Sequence, residues 1–549
     1  MRLHADPGER GPAAPAGSRL LQALGDAATY GEQGPVEVRE THASWVFLTG
    51  ERAYKVKKAL AFGFLDYSTL ALRHAACREE VRVNRALAPG LYVGVRAIVP
   101  AAAGFGLAPE RAAGAVEYAV EMRRFRERDT LAGLIAAGAL TSEHVRAVAR
   151  RLAAFHKAAP AVAGGDVPAV LRMWRENVAE LAELGTRLRP RAELAEGFAE
   201  AFLQAHGREV ERRRRAGLVR DGHGDLRCEH VLAVPRVRVV DRIEFDPGLR
   251  RTDVACDLAF LAMDLEACGQ RWAAAELLCA YARDGLDPGS TQLQSFYGAH
   301  RALVRAKVAL IAAAEQPARR RAPHLAEARS LLSLGERLCW RARAPLAIVI
   351  CGPAASGKST LAAGLSRESG FPVVSSDAVR KSAAGLAPTE RAAPEHYSAS
   401  FTRQTYERLG RAAQLALERE PGVIVDATCR SRDSRGLLLR SLERRGLTRL
   451  VVFCELPLEV ALARAARRVR RVGHVSDATP EIVAGHYRTF EPLEEQAAGS
   501  VLVLDTGQDL DAQLAAVTRA VDRVLAGRDS GRTRGRRVTT QPGWGGSPM

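Results

Sequence analysis

The sequence predicts two domains, an α+β domain followed by an α/β domain built on a doubly wound parallel sheet, and three observations carry that expectation. At 549 residues the chain is too long for a single hydrophobic core. In the N-terminal half, a lysine-bearing strand, a glutamate-bearing helix and a further strand precede a long helical stretch. From Leu346 onward, apolar strands alternate with helical runs, the rhythm of a parallel sheet covered on both faces.

Composition excludes several classes. Hydrophobic residues make up 47% and charged residues 26%, which fits a globular chain and not a disordered one. No apolar run approaches the roughly 18 residues that cross a bilayer. The opening stretch MRLHADPGERGPAAPAGSR is polar and Pro/Gly-rich, without the apolar core of a signal peptide, so a cytoplasmic location with no membrane partner is expected. Nine cysteines are dispersed without C-x-x-C spacing, which argues against a disulfide framework and a zinc site. The oligomeric state is left open.

The net charge of +17 would ordinarily suggest a nucleic-acid partner. Yet of 80 lysines and arginines only seven are lysine, and alanine is abundant throughout, so arginine serves as the default positive charge. A nucleic-acid partner stays possible, but the charge alone does not argue for one. The same bias makes the lysines informative. Lys55, Lys57 and Lys58 cluster on one stretch, and an ammonium is retained where a phosphate is touched in a tight cavity.

Taken in order, residues 1–19 read as a flexible lead, residues 20–320 as the first domain, 321–344 as a linker helix, 345–527 as the second domain and 528–549 as a disordered basic tail. A helix is expected at Leu20 to Tyr30. HASWVFLTGERAYKVKKAL reads as two strands around the turn Thr49-Gly50-Glu51, LRHAACREEVRVNRALAPG as a helix ending at Pro89-Gly90, and Val116 to Phe125 as a strand. This order is that of a protein-kinase-like small lobe, in which the strand lysine grips nucleotide phosphates and the helix glutamate pairs with it. Lys55 and Glu80 are the expected pair, with Lys57 and Glu79 as alternatives.

Helical segments then run from Leu131 to Leu218, followed by His223-Gly-Asp225, His230 and a strand ending at Asp241. The chemistry needs a carboxylate, Asp225, to orient and deprotonate an attacking hydroxyl, and nearby ligands to hold a divalent metal. Residues from Val36 to Ala314 resemble the aminoglycoside phosphotransferase family, whose loop reads H-G-D-x-x-x-x-N and whose metal strand precedes a D-x-x-x-D-L-A helix. Here that helix begins Asp253-Val-Ala-Cys-Asp257-Leu-Ala. The resemblance implies a protein-kinase-like fold, Asp225 as catalytic base and Asp241 as a metal ligand. His230 stands where that family has Asn, and Glu244 in DRIE competes with Asp241 for the metal.

In the second domain IVICGPAASGKST fits the phosphate-loop pattern G-x-x-x-x-G-K-[ST] at every specified position, between a strand and a helix. Gly352, Pro353, Ala354, Ala355, Ser356, Gly357, Lys358, Ser359 and Thr360 are the expected nucleotide contacts, with Lys358 on the outer phosphates and Ser359 on Mg²⁺. Asp377, closing PVVSSD, is the expected contact of the acceptor hydroxyl, and Asp426, closing GVIVDAT, the second metal carboxylate. Arg464, Arg467 and Arg468, followed by Gly473 and Ser476-Asp-Ala-Thr479, would form a lid over the phosphate.

Residues Leu346 to Leu525 resemble the gluconate-kinase-like and polynucleotide-kinase-like branch of P-loop kinases. The whole resembles bacterial bifunctional aminoglycoside phosphotransferase and ATP-binding proteins. That resemblance implies an ATP- and Mg²⁺-dependent kinase that moves the γ-phosphoryl group to a hydroxyl of a small molecule. Two further readings remain, a 5′-hydroxyl kinase of nucleic acid in the second domain and a pseudokinase-like first domain that regulates it.

Overall fold

The computed structural model describes residues 15–62, 65–101, 104–469, 479–496 and 499–527. The beginning of the expected lead, the basic tail and the lid stretch containing Gly473 and Ser476 lie outside the described residues, as does the Arg468 side chain. Internal contacts divide the chain into two compact units. One comprises residues up to Glu180, Glu209–Ser290 and His300–Val308, and the other Leu181–Arg208, Thr291–Ala299 and the chain from Ala309.

The first unit opens with helix α1 (Pro15–Leu24), shorter and earlier than expected because Gly25 and Asp26 end it; Asp26 then caps a short 3-10 turn, Ala27–Tyr30. A sheet follows, made of β1 (Glu37–Glu40), β2 (Ser44–Leu48), β3 (Arg52–Lys57), β4 (Tyr92–Ala101), β5 (Gly104–Pro109) and β6 (Glu117–Arg123). Its order is β1-β2-β3-β6-β4-β5, antiparallel at every step. The β2–β3 turn closes where the sequence places it, with the Thr49 N–H donating to Arg52 O at 2.9 Å. Helix α2 (Leu70–Asn84), capped by the Thr69 hydroxyl, buries Cys77 and Val81 against Val120 and Met122 of β6.

The rest of this unit is mainly helical. Helices Leu131–Ala136, Ser142–Ala158, α3 (Val254–Ala267) and Arg271–Arg283 enclose a core that includes Val148, Leu152, Leu258, Leu261 and Leu277. Burying side chains of this size stabilises by about 1.5–3 kcal/mol each. Two small antiparallel ribbons lie between the helices in sequence. β7 (Val219–Asp221) pairs with β10 (Arg251–Asp253), and β8 (Val231–Leu232) with β9 (Arg238–Val239).

The second unit holds a five-stranded parallel sheet of β11 (Leu346–Cys351), β12 (Val373–Ser375), β13 (Gly422–Asp426), β14 (Thr448–Glu455) and β15 (Val501–Asp505). The order is β12-β13-β11-β14-β15, so from the central β11 the chain crosses to the edge strand β12, steps back to β13, and then continues on the other side through β14 and β15. This doubly wound topology opens a crevice at the carboxyl end of β11, where such sheets take ligands. Alternate residues of β11 serve opposite layers. Leu346, Ile348 and Ile350 pack with Leu361, Leu365 and Val517, while Ala347, Val349 and Cys351 pack with Tyr406, Leu409 and Leu438.

The expected linker helix is α4 (Arg321–Ala342), and its Trp340 belongs to the core of the sheet unit. Residues 181–208 and 291–299 fall within the range read as the first domain, yet their contacts group them with this unit. The reason is a shared set of aromatic, cation–π and hydrogen-bond contacts. The rings of Phe202 and Phe296 stack at 4.2 Å, the Arg343 guanidinium lies 4.5 Å over Phe198, and the Gln292 amide donates to Ala344 O at 3.1 Å. Among the described residues no helix is long and apolar enough to cross a membrane.

Candidate functional site

In the second unit, β11 delivers the chain into a loop with three left-handed residues, Gly352 (φ 140°), Ala355 (φ 65°) and Gly357 (φ 94°). A Cβ on Gly352 would lie 2.7 Å from Cys454 O, so only glycine fits that approach. The Gly352 N–H donates to Thr428 O at 3.2 Å, and the Thr506 hydroxyl donates to Ser356 O at 2.7 Å, holding the loop's curvature from both sides. The side chains of Pro353, Ala354, Ala355 and Ser356 are buried, and the Ser356 hydroxyl has no partner among the described residues.

Helix α5 (Lys358–Ser369) starts directly behind Gly357, with the Thr360 N–H donating back to Gly357 O at 3.1 Å. Its free first-turn N–H groups and dipole face the loop, an arrangement that favours anions. The Lys358 ammonium donates to Pro353 O at 2.7 Å, and the Ser359 hydroxyl donates to Asp426 Oδ2 at 2.6 Å. Asp426 comes there because it ends β13 in register with Ile350 of β11.

Arg464 reaches the same loop, its guanidinium donating to Thr506 O at 3.0 Å; Arg467 is exposed. Asp377 does not end a strand. It is the second residue of helix α6 (Ser376–Ala383), because the Ser375 hydroxyl caps that helix and accepts the Asp377 N–H at 3.3 Å. Its carboxylate is 34% exposed and lies 4.0 Å from the buried Lys381 ammonium. One residue that sequence reasoning missed is His486 on helix α7 (Pro480–Arg488). Burial first, then the charges of Arg430 and Lys358, push its imidazole down to about 4. Nothing in the sequence around His486 marks it, since it approaches only through the fold.

In the first unit, Lys55 and Lys57 share one face of β3, and both reach Glu80 of α2. Lys55 Nζ lies 2.9 Å from Oε1 and Lys57 Nζ 2.5 Å from Oε2. Glu79 instead turns to Arg82 at 2.6 Å and remains 31% exposed. Lys55 also meets Asp241 at 2.8 Å, whereas Lys57 is enclosed with Glu244, which accepts the Tyr67 hydroxyl at 3.0 Å. Burial works against the Lys55 charge, but Asp241, Glu80 and Glu244 outweigh it and hold the ammonium well above the usual lysine range.

Asp225 follows β7 in a loop held from beneath. Asp257 of α3 accepts the N–H groups of His223 and Gly224, the latter at 2.9 Å, and lies 3.3 Å from His156 Nε2. A Cβ on Gly222 would lie 2.3 Å from Asp257 Oδ2, so the loop requires glycine there. His223 is fully buried, and its hydrogen bonds assign the tautomer: Nε2 donates to Val240 O at 2.9 Å and Nδ1 accepts the Asp225 N–H at 3.2 Å.

His230 curls back on the same loop. Nδ1 donates to Asp225 O at 2.8 Å, which leaves Nε2 as an acceptor 3.9 Å from Asp241 Oδ2. The Arg227 guanidinium lies 3.1 Å from that nitrogen and 3.2 Å from Asp225 Oδ2. Burial resists ionisation of Asp225, but Arg227, His230 and His223 together hold its carboxyl below the usual value. Asp241 occupies the left-handed region (φ 59°), rare for a residue other than glycine, and its N–H donates to the Tyr92 hydroxyl at 3.2 Å. Lys55, Glu80, Asp225, His230 and Asp241 thus belong to one connected cluster, with Glu244 set to the side on Lys57.

A family model described as an AAA domain matches residues 348–493. An uncharacterized protein of Mycobacterium tuberculosis strain H37Rv is 33% identical over 473 residues, 84% of this chain and 91% of its own length. The Mycobacterium bovis counterpart matches with the same figures. Among solved structures, a gluconokinase from Sinorhizobium meliloti 1021 is 21% identical with a TM-score of 0.24, covering 33% of this chain and 94% of its own. A choline/ethanolamine kinase family protein from Mesorhizobium loti is 14% identical with a TM-score of 0.33, covering 58% of this chain and 99% of its own.

Proposed function

The chain belongs to the family of the mycobacterial proteins that match it over most of its length, and we propose that it is an ATP-dependent phosphotransferase with two nucleotide sites. The observation that carries the reading is the 2.6 Å hydrogen bond from Ser359 to Asp426, formed where a glycine-framed loop meets a helix N-terminus at the crevice of the parallel sheet. Two hard oxygen donors in contact suit a magnesium ion. When bound, that ion would neutralise charge on the phosphate chain.

The residues of the second unit divide the remaining work. The N–H groups of Ala354, Ala355, Gly357, Lys358 and Ser359 take the phosphates, and Lys358 exchanges the Pro353 carbonyl for a phosphate oxygen. Arg464, already fixed against the loop by Thr506, adds positive charge where it builds up on the transferred group. Asp377, partly exposed, accepts the proton of the attacking hydroxyl of a small-molecule acceptor.

In the first unit Lys55 grips phosphate, Glu80 steadies it, and Asp225 takes the proton of a second hydroxyl acceptor. His230 Nε2 and Asp241 are the donors suited to a divalent metal, while Glu244 is already engaged by Lys57 and Tyr67. A second reading has an observation in its favour. Arg227 already lies on Asp225 and His230, and Lys55 on Asp241, so the unit balances its own acidic groups and suits nucleotide binding without transfer.

Incubation of the full chain with γ-labelled ATP, Mg²⁺ and a metabolite extract tests the proposal. Label should pass to a hydroxyl compound with the native protein and fall sharply with Lys358→Ala. Equal transfer by both would remove the second unit from the chemistry, and transfer only to 5′-hydroxyl oligonucleotides would replace the small-molecule acceptor by nucleic acid.

A further inference from the structure

All nine cysteines are free thiols, and only Cys268 and Cys279 are exposed. Cys228 begins the short turn Cys228–His230 that follows Asp225, and its N–H donates to Asp264 Oδ2 at 2.7 Å. Cys268 closes α3, and its N–H donates to the main-chain oxygen of that same Asp264 at 3.0 Å. One residue therefore anchors the backbone of both cysteines, and Arg305 in turn pairs with its carboxylate. The two thiols lie near enough for each to perturb the other. Cys279, the other exposed thiol, lies within the helix Arg271–Arg283, and the three cysteines around the phosphate loop, Cys351, Cys429 and Cys454, are all buried.

We propose that Cys228 and Cys268 are a peroxide-responsive thiol pair that closes to a reversible disulfide, tying the Asp225 loop to the end of α3. Cys268 is the sulfur that solvent reaches. Its contact with Cys228 holds its thiol below the usual cysteine value, against the opposing effect of burial. The Cys268 thiolate attacks hydrogen peroxide; an S–O bond forms, the O–O bond breaks and hydroxide leaves. The Cys228 sulfur then attacks the Cys268 sulfenic acid, the S–S bond forms, the S–O bond breaks, and water departs with the Cys228 proton. Two thiols lose two electrons and peroxide is reduced to two waters, so the step balances. A dithiol reductant reverses it. The inference stands whether or not the first unit transfers phosphate, because its readout is covalent.

The full-length protein is treated with hydrogen peroxide, remaining thiols are alkylated, and the intact mass and protease fragments are measured. The expected product has lost two hydrogens, joins the peptides that contain Cys228 and Cys268, and returns to the dithiol with dithiothreitol. Cys268→Ser, at an exposed position, should abolish the linkage. Cys228→Ala should leave a sulfenic acid on Cys268 that dimedone traps. A linkage through Cys279, or oxidation of Cys268 without joining Cys228 in the native chain, would overturn the proposal, as would an unoxidised pair.

Discussion

Lys57 and Glu80 form an ion pair at 2.5 Å with their side chains only 2% and 1% exposed, while Lys55, two residues earlier on the same face, keeps 15% of its side chain in solvent. The enclosed lysine is locked into the fold, and the more open one is the lysine proposed above to meet the nucleotide.

That division predicts opposite phenotypes. Lys57→Ala leaves the carboxylates of Glu80 and Glu244 buried with less compensation, and breaking such a pair costs about 3–5 kcal/mol. Lys55→Ala should cost less stability and weaken ATP binding more. Urea denaturation and calorimetric ATP titration of the full chain read both, and a Lys55→Ala protein with native affinity would remove Lys55 from the nucleotide site.

Lys358→Ala should leave the fold intact, because the ammonium bonds only a carbonyl of its own loop and supports no core. Nucleotide turnover should fall by about 10²- to 10³-fold, the usual effect of removing one donor that stabilises transition-state charge. Circular dichroism and an ATPase assay suffice as the check.

Asp377→Asn should spare ATP affinity and slow phosphoryl transfer by about 10²- to 10⁴-fold, the range for loss of general-base help. Steady-state kinetics at saturating ATP measure this. A rise in the KM for ATP with an unchanged rate would place Asp377 beside the nucleotide instead.

Asp257→Ala removes the acceptor for two loop N–H groups and the partner of His156. Leaving such buried groups unsatisfied costs about 1–3 kcal/mol each. The thermal midpoint should drop, and Gly222, which needs the space Asp257 fills, should become more tolerant of alanine in that background than in the native chain.

Stability should fall in mild acid. Burial brings His223 to about 4 and, with Arg301 beside it, His300 to about 3. Both folded values lie below the ordinary value of about 6.5, so below that pH the unfolded chain binds protons that the folded chain does not. Stability is complete above about pH 6.5 and declines toward pH 4, by up to about 1.4 kcal/mol per pH unit for each histidine. Urea midpoints at pH 7 and pH 5 measure the loss, and His300→Gln should make it shallower.

Much of this was legible in the chain. The phosphate loop was readable because its glycines answer a backbone demand within a few residues, and Lys55 with Glu80 because strand and helix periodicity place them on facing surfaces. Lys57 as a second partner of Glu80 follows from the same alternation, yet only the fold shows one carboxylate serving both. Strands β4 and β5 were missed, since the glycines, prolines and alanines of YVGVRAIVPAAAGFGLAP obscure alternation. Asp377 was placed one element early because a serine cap, not the end of apolar residues, sets where β12 stops. The support that Asp257 gives to His223 crosses 34 positions; the motif marks Asp257, but only the fold shows which N–H groups it accepts.

The allocation of residues 181–208 and 291–299 to the sheet unit bears on how the protein emerges from a ribosome. Phe198, Phe202 and Phe296 are synthesised before Arg343 and before any strand of the sheet they are grouped with. N-terminal segments ordinarily fold first as they leave the exit tunnel. Here part of the later unit must wait, apolar and incomplete, while well over a hundred further residues are translated. The interval is a window for chaperone capture or aggregation, and slowing translation after position 300 should lengthen it.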